Sequence, residues 1–193
     1  MKKLLTLFTF STLFSLSLSA QVKEIQSIQE IRPEVNSNTV VVFDIDNTLL
    51  EPLQTLGSDQ WFEDHKKELT EFYLNHNIPD AEKKAFEETL SLWMAIQKVT
   101  LQKPVEAETP ALIKSWQEQG ITVFALTARP LELSQTTQAQ LKSVGIDLTV
   151  TSPVQQEVLI DGNVEKANYR QGIVYAGSNS KGYVLSNFFR KLK

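Results

Sequence analysis

An α/β fold with a parallel sheet is predicted by three apolar runs, each ending in residues that can do chemistry. Val40 to Phe43 runs directly into Asp44 and Asp46. Ile121 to Leu126 ends in Thr127 and Arg129, and Gly172 to Ala176 leads through a polar stretch to Lys181. Continuous apolar strands read as buried on both faces, as parallel strands are. Helical patterns occupy the intervals, and that alternation predicts a doubly wound, Rossmann-like parallel sheet.

The elements follow in order. Residues 1–20 combine Lys2 and Lys3, an apolar run from Leu4 to Leu18, and small residues at Ser17, Ser19 and Ala20, the pattern of a secretory signal peptide. The run is short for a membrane span of ~20 residues. No stable span is therefore expected after cleavage, and the protein is expected to be secreted or periplasmic. Val22, Ile25, Ile28 and Ile31 recur every third residue and predict a short amphipathic helix ended by Arg32 and Pro33. The first strand comes next. Residues 51–104 then read as almost wholly helical. Trp61, Phe62, Leu69, Phe72 and Tyr73 form one apolar set, and the break at Asn77 to Pro79 closes it. Asp80 is expected to cap a second helix carrying Ala85, Phe86, Leu90, Trp93, Ile96 and Val99.

The α/β pattern resumes at Thr109, read as an N-cap, with Pro110 as first helical residue and Gly120 as stop. Beyond Thr127, Pro130 opens a helix that Gly145 closes. Gln155 to Asp161 and Asn168 to Tyr175 predict a β-hairpin turning at residues 161–163. Ser178 or Asn179 caps a last helix with Val184, Leu185, Phe188, Phe189 and Leu192 on its apolar side.

Composition narrows the function. A chain of 193 residues holds one domain with an insertion. Net charge is −4, and no basic stripe appears, which excludes nucleic acid as a partner. The absence of cysteine excludes disulfides, thiolate metal sites and a lipid-modified cysteine. Asp44 and Asp46 stand at the carboxyl end of a parallel strand, where open α/β sheets bind ligands. Carboxylates there require a cation, hydrogen bonds or water. An Asp-rich strand-to-turn junction with Asn47 and Thr48 accounts for the same residues.

The order strand–Asp44-x-Asp46-x-Thr48, strand–Thr127, then Lys181 resembles the haloacid-dehalogenase-like phosphohydrolases over residues 38–191. Within that superfamily, Phe43 to Leu50, Leu56 to Phe62 and Ala125 to Arg129 resemble a secreted bacterial family of uncharacterised function. The resemblance implies Mg²⁺-dependent hydrolysis of a small-molecule phosphate monoester. Asp44 would be the nucleophile that forms an aspartyl-phosphate, and Asp46 the acid and then the base. Thr127 would bind a phosphoryl oxygen, and Lys181 would neutralise charge and restrain Asp44. Asp44 and the Asp46 backbone carbonyl would hold the metal. The resemblance also implies a helical cap at residues 51–104, inserted into a core of residues 21–50 and 105–193.

Simpler readings stand beside these. Thr127 fits a strand-end turn, Lys181 a solvated lysine at a helix start, and Arg129 either a phosphate contact or a surface ion pair. His65 and His76 lack ligand spacing and read as surface residues. Trp61 and Trp93 read as cap packing, and Asp59 and Gln60 as substrate contacts where the cap begins. The superfamily's fourth motif, a strand followed by metal-binding aspartates, has no room after Lys181. The resemblance therefore implies missing C-terminal strands, an incomplete Mg²⁺ ligand set, and a chain that is the first part of a longer protein. Val40 to Phe43 is then expected at the sheet edge, without charge or proline, where it offers self-association. A catalytically inactive binding protein, or a pseudogene product, is the alternative function.

Overall fold

The computed structural model describes residues 21–192, so the signal peptide expected over residues 1–20 lies outside the described residues. In chain order the elements are β1 (Val40–Phe43), β2 (Leu50–Pro52), α1 (Asp59–Asn75), α2 (Ala81–Gln97), β3 (Gln102–Pro104), α3 (Thr109–Glu118), β4 (Thr122–Thr127), α4 (Ser134–Ser143), β5 (Val158–Asp161), β6 (Lys166–Arg170), β7 (Ile173–Tyr175) and α5 (Lys181–Lys191). A 3-10 helix, Ile28–Glu34, precedes β1, and another, Leu131–Leu133, leads from Pro130 into α4.

The main sheet runs in the order β1-β4-β7-β6-β5. β1, β4 and β7 are parallel, with Val41 opposite Val123 and Ala125 opposite Ile173. β6 and β5 are antiparallel, so the expected all-parallel sheet is corrected to a mixed one. The reason is local. What reads as one strand from Asn168 to Tyr175 is two, because Gln171 (φ 50°) and Gly172 (φ 80°) make the positive-φ turn that matches strand twist. A Cβ at Gly172 would sit 2.2 Å from the Leu148 carbonyl oxygen, so glycine alone fits there.

Side chains alternate across the sheet as the pleat requires. Val41, Phe43, Val123, Ala125, Ile173 and Tyr175 belong to the core shared with α3 and α4. Val42, Phe124, Leu126 and Val174 belong to the core shared with α5. The connections β1 to β4 and β4 to β7 step the same way along the sheet, so right-handed crossovers put α3 and α4 on one face. Phe188 of α5 stacks on Tyr169 at 4.8 Å and meets Phe124 edge-on at 5.6 Å. Burying such a side chain stabilises the fold by about 1.5–3 kcal/mol. Among the described residues β1 has β4 on one side and no strand on the other, and Val40 is 47 % exposed. Val40 to Phe43 thus lies at the sheet edge, as expected, with apolar packing on both of its faces.

Several element boundaries differ from expectation, each for a local reason. The first helix starts at Ser27, not Val22, because Ser27 and Glu30 close a capping box there. Glu106 holds that start from outside, accepting from the Ser27 hydroxyl at 2.7 Å and the Ile28 N–H at 2.9 Å. The three-residue apolar period therefore marks a 3-10 turn. Residues 51–104 are not wholly helical: β2 and β3 pair antiparallel at the base of the α1–α2 hairpin, where Lys103 meets Glu51 at 2.6 Å. Strands of three residues are too short to show a period of two. Ala81, Ala85 and Thr89 are buried along α2, and their small size lets α1 pack closely. Asp80 precedes α2 in the left-handed region and makes no side-chain cap. Thr109 is the first residue of α3, not its cap, and is buried.

Candidate functional site

β1 delivers Asp44 and Asp46 through a tight loop. Ile45 and Leu49 are fully buried in it, and the Ile45 carbonyl accepts from the N–H groups of Leu49 and Leu50, both at 2.9 Å. Asp44 accepts the Ile45 N–H at 2.8 Å and pairs with Lys181 Nζ at 2.7 Å. Asp46 accepts from Arg129 Nε at 3.0 Å and from Nη2 at 2.7 Å. The Arg129 side chain is only 1 % exposed, whereas that of Asp46 is 33 % exposed. Arg129 Nη1 donates to Thr137 Oγ1 at 3.1 Å and to Gln140 Oε1 at 2.7 Å. Of the two readings left open for Arg129, an ion pair is present, with the guanidinium buried and the carboxylate partly exposed.

Thr127 ends β4 and is fully buried; its Oγ1 accepts the Arg129 N–H at 3.1 Å and sets the turn that aims the guanidinium. Next to it, Tyr175 is buried, and loss of solvent pushes its phenol well above the ordinary range against the pull of Arg129. Lys181 opens α5. The cap expected from Ser178 or Asn179 is corrected: Ser180 is the N-cap and makes no side-chain bond. Asn179 ties two loops together instead. Its Oδ1 accepts from Val164 N–H at 2.7 Å and Glu165 N–H at 3.0 Å, while its amide donates to the Ala176 carbonyl at 2.7 Å. That clasp holds the start of α5, and with it Lys181, against the end of β1.

The α1–α2 hairpin covers this floor. Trp93 Nε1 and Gln97 Nε2 both donate to the Gly57 carbonyl, at 3.0 and 2.9 Å, and the Trp93 ring lies 5.7 Å from the Arg129 guanidinium. Gln140 Nε2 donates to the Gln97 carbonyl at 2.8 Å, so one buried chain of polar contacts runs from Asp46 through Arg129 and Gln140 into the hairpin. Between hairpin and sheet lies a cavity of about 210 Å³, with Asp46, Asp59, Arg129 and Pro130 around its floor and Phe62, Leu90 and Trp93 above. The carboxylate of Asp59 accepts from the Asn47 amide. Gln60 is turned along its own helix, donating to Asp64 at 2.9 Å. His76 is exposed, but His65 is half-buried against Trp61, with ring centroids 5.1 Å apart. Trp93 lines the cavity as well as packing the hairpin.

Asp44, Asp46, Thr127 and Lys181 are therefore brought together at one end of the sheet. Sequence reasoning missed Gln97, Gln140 and Asn179. Glutamines on helical faces carry no distinguishing pattern, and Asn179 before a helix reads as a cap. Among the described residues, no group of three or more histidine, aspartate or glutamate side chains is arranged to hold a metal ion. No described helix is long and apolar enough to cross a membrane.

The sequence matches the family described as Protein of unknown function (DUF2608) over residues 21–193. The chain belongs to that family. This chain is similar to a Chlamydia pneumoniae protein named "Putative outer membrane protein", 29 % identical over 93 % of this chain and 67 % of its own length. A Chlamydia muridarum protein of the same name is 27 % identical over 88 % of this chain and 62 % of its own length. A third, from Chlamydia trachomatis, is 26 % identical over 66 % of this chain and 48 % of its own length. The chain thus spans about two thirds of the first relative and less of the others. No solved structure matches it. These findings correct the expected resemblance. The family matched is DUF2608, of unknown function, and not a haloacid-dehalogenase family. The hydrolase and phosphatase assignments, with the magnesium that accompanied them, rested on that resemblance and have no support here.

Proposed function

We propose that this DUF2608 chain is an exported envelope protein that binds a small molecule between its sheet and its helical hairpin. Asp46, Asp59 and Arg129 form the polar floor, with Asp44, Thr127 and Lys181 beside it at the same end of the sheet, and residues 51–104 act as an inserted cap on a doubly wound core. The observation that carries this reading is the convergence of three distant segments at the carboxyl ends of β1 and β4, beneath an apolar roof. Ion pairs Asp44–Lys181 and Asp46–Arg129 lock that arrangement. Ligand clefts in open α/β sheets lie outside the carboxyl ends of the strands. A concave, mostly apolar pocket with a few convergent polar groups is the usual form of a small-molecule site. Export is supported by the pattern of residues 1–20 and by relatives named for the outer membrane.

Ligand-observed NMR with a mixed fragment set tests binding. Fragments that bind the wild-type chain should lose their signal with Leu90→Ala and with Phe62→Ala. Hits indifferent to both substitutions would place binding elsewhere and end this reading. Cell fractionation tests export, and protein retained in the cytoplasm with Met1 intact would sink it.

A further inference from the structure

We infer that the cavity under the hairpin selects a small protonated amine carried on an apolar body; the inference rests on the cleft-binding reading and names its ligand class. Among the described residues, Arg129 is the only basic one on the cavity wall, and its side chain is 1 % exposed. Its Nε and Nη2 donate to Asp46, and its Nη1 donates to Thr137 and Gln140. A ligand entering from solvent therefore meets no free side-chain cation among the described residues of the cavity wall. Asp46 and Asp59 are the polar groups within its reach, and carboxylates only accept hydrogen bonds. The N-terminal turn of α1 could attract an anion, but Ser58 Oγ already accepts the Trp61 N–H at 3.2 Å and Asp59 fills the first turn. Counted together, two carboxylates outweigh one buried guanidinium, so the cavity favours a positive head group. Phe62, Leu90, Trp93 and Pro130 form the rest of the wall and suit an apolar body. Aromatic rings also attract ammonium groups directly. At about 210 Å³ the space lies below the usual range for drug-sized ligands, which points to a ligand of one ring or a short chain.

The test compares three probes of one shape on the full chain at neutral pH: benzylammonium, benzyl alcohol and benzoate. Calorimetry is expected to give benzylammonium the tightest binding, about tenfold over the alcohol, with benzoate weakest. Asp59→Asn should weaken benzylammonium about fivefold and leave benzyl alcohol within about twofold, a split that loss of folding would not produce. Phe62→Ala should weaken all three. Benzoate binding more tightly than benzylammonium, or no saturable benzylammonium binding at millimolar concentration, overturns the inference. The first of these results keeps the cleft as a binding site and changes only its ligand class. The fragment experiment with Leu90→Ala decides the cleft itself independently.

Discussion

Replacing Arg129 with methionine removes a guanidinium while keeping much of its apolar stem. Gln140 Oε1 then loses the donor it holds at 2.7 Å, in a place where water does not reach easily. An orphaned buried polar group costs about 1–3 kcal/mol. Thr137 is fully buried and loses its partner too, although a hydroxyl can rotate to donate elsewhere. Asp46 is left without its cation, but one third of its side chain is exposed and water offsets much of that loss, leaving about 1 kcal/mol. The expected total is about 3 kcal/mol, at the lower edge of the about 3–5 kcal/mol for breaking a fully buried pair. With a urea slope of about 2 kcal/mol per molar, the unfolding midpoint should fall by about 1.5 M. Asp46→Asn should cost about 1 kcal/mol, because Arg129 keeps Thr137 and Gln140 and gains an amide oxygen. The double variant should lose about 1 kcal/mol less than the sum of the two. Urea unfolding read by tryptophan fluorescence measures all three. A fall of under about 0.3 M for Arg129→Met, or simple additivity in the double variant, would refute the idea that this guanidinium joins the hairpin to the sheet.

Gly57 has φ 85°, and a Cβ there would lie 2.8 Å from Ile96 Cγ2, so Gly57→Ala should cost about 1–2 kcal/mol in thermal denaturation and shift the indole N–H resonance of Trp93. Asn179→Ala leaves the N–H groups of Val164 and Glu165 and the Ala176 carbonyl without partners; a loss of about 2–3 kcal/mol is expected by chemical denaturation, while Asn179→Asp, which keeps the two acceptor bonds, should lose less. Tyr175 stays protonated in the folded protein at a pH where a free phenol, with a pKa of about 10, ionises. Above that pH the unfolded chain gives up a proton that the native chain keeps, so stability falls as pH rises. Tyr175→Phe should flatten the alkaline limb of a stability–pH curve, and an unchanged limb would remove Tyr175 as its cause.

Apolar continuity at Val40 to Phe43 and Ile121 to Leu126, and the punctuation by Gly120 and Gly145, made the parallel β1–β4 pair and the ends of α3 and α4 legible in the sequence. Both glycines do take positive φ, at 76° and 83°. Such signals are local: a strand's burial and a helix's stop depend on residues within a few positions. The meeting of Asp44 with Lys181, and of Asp46 with Arg129, was visible only as an order of motifs, since each pair joins residues far apart in the chain. Four features needed the tertiary structure. Gln171 and Gly172 split one apparent strand into a hairpin, because a turn of two residues leaves almost no gap in an apolar pattern. The β2–β3 ribbon exists only through pairing across the whole helical hairpin. Gln97 and Gln140 became part of the site because the end of α2 meets α4, and nothing in a glutamine's own neighbours announces that. The Arg129–Asp46 pair needed it for the same reason: which carboxylate a guanidinium meets is decided by what folds against it.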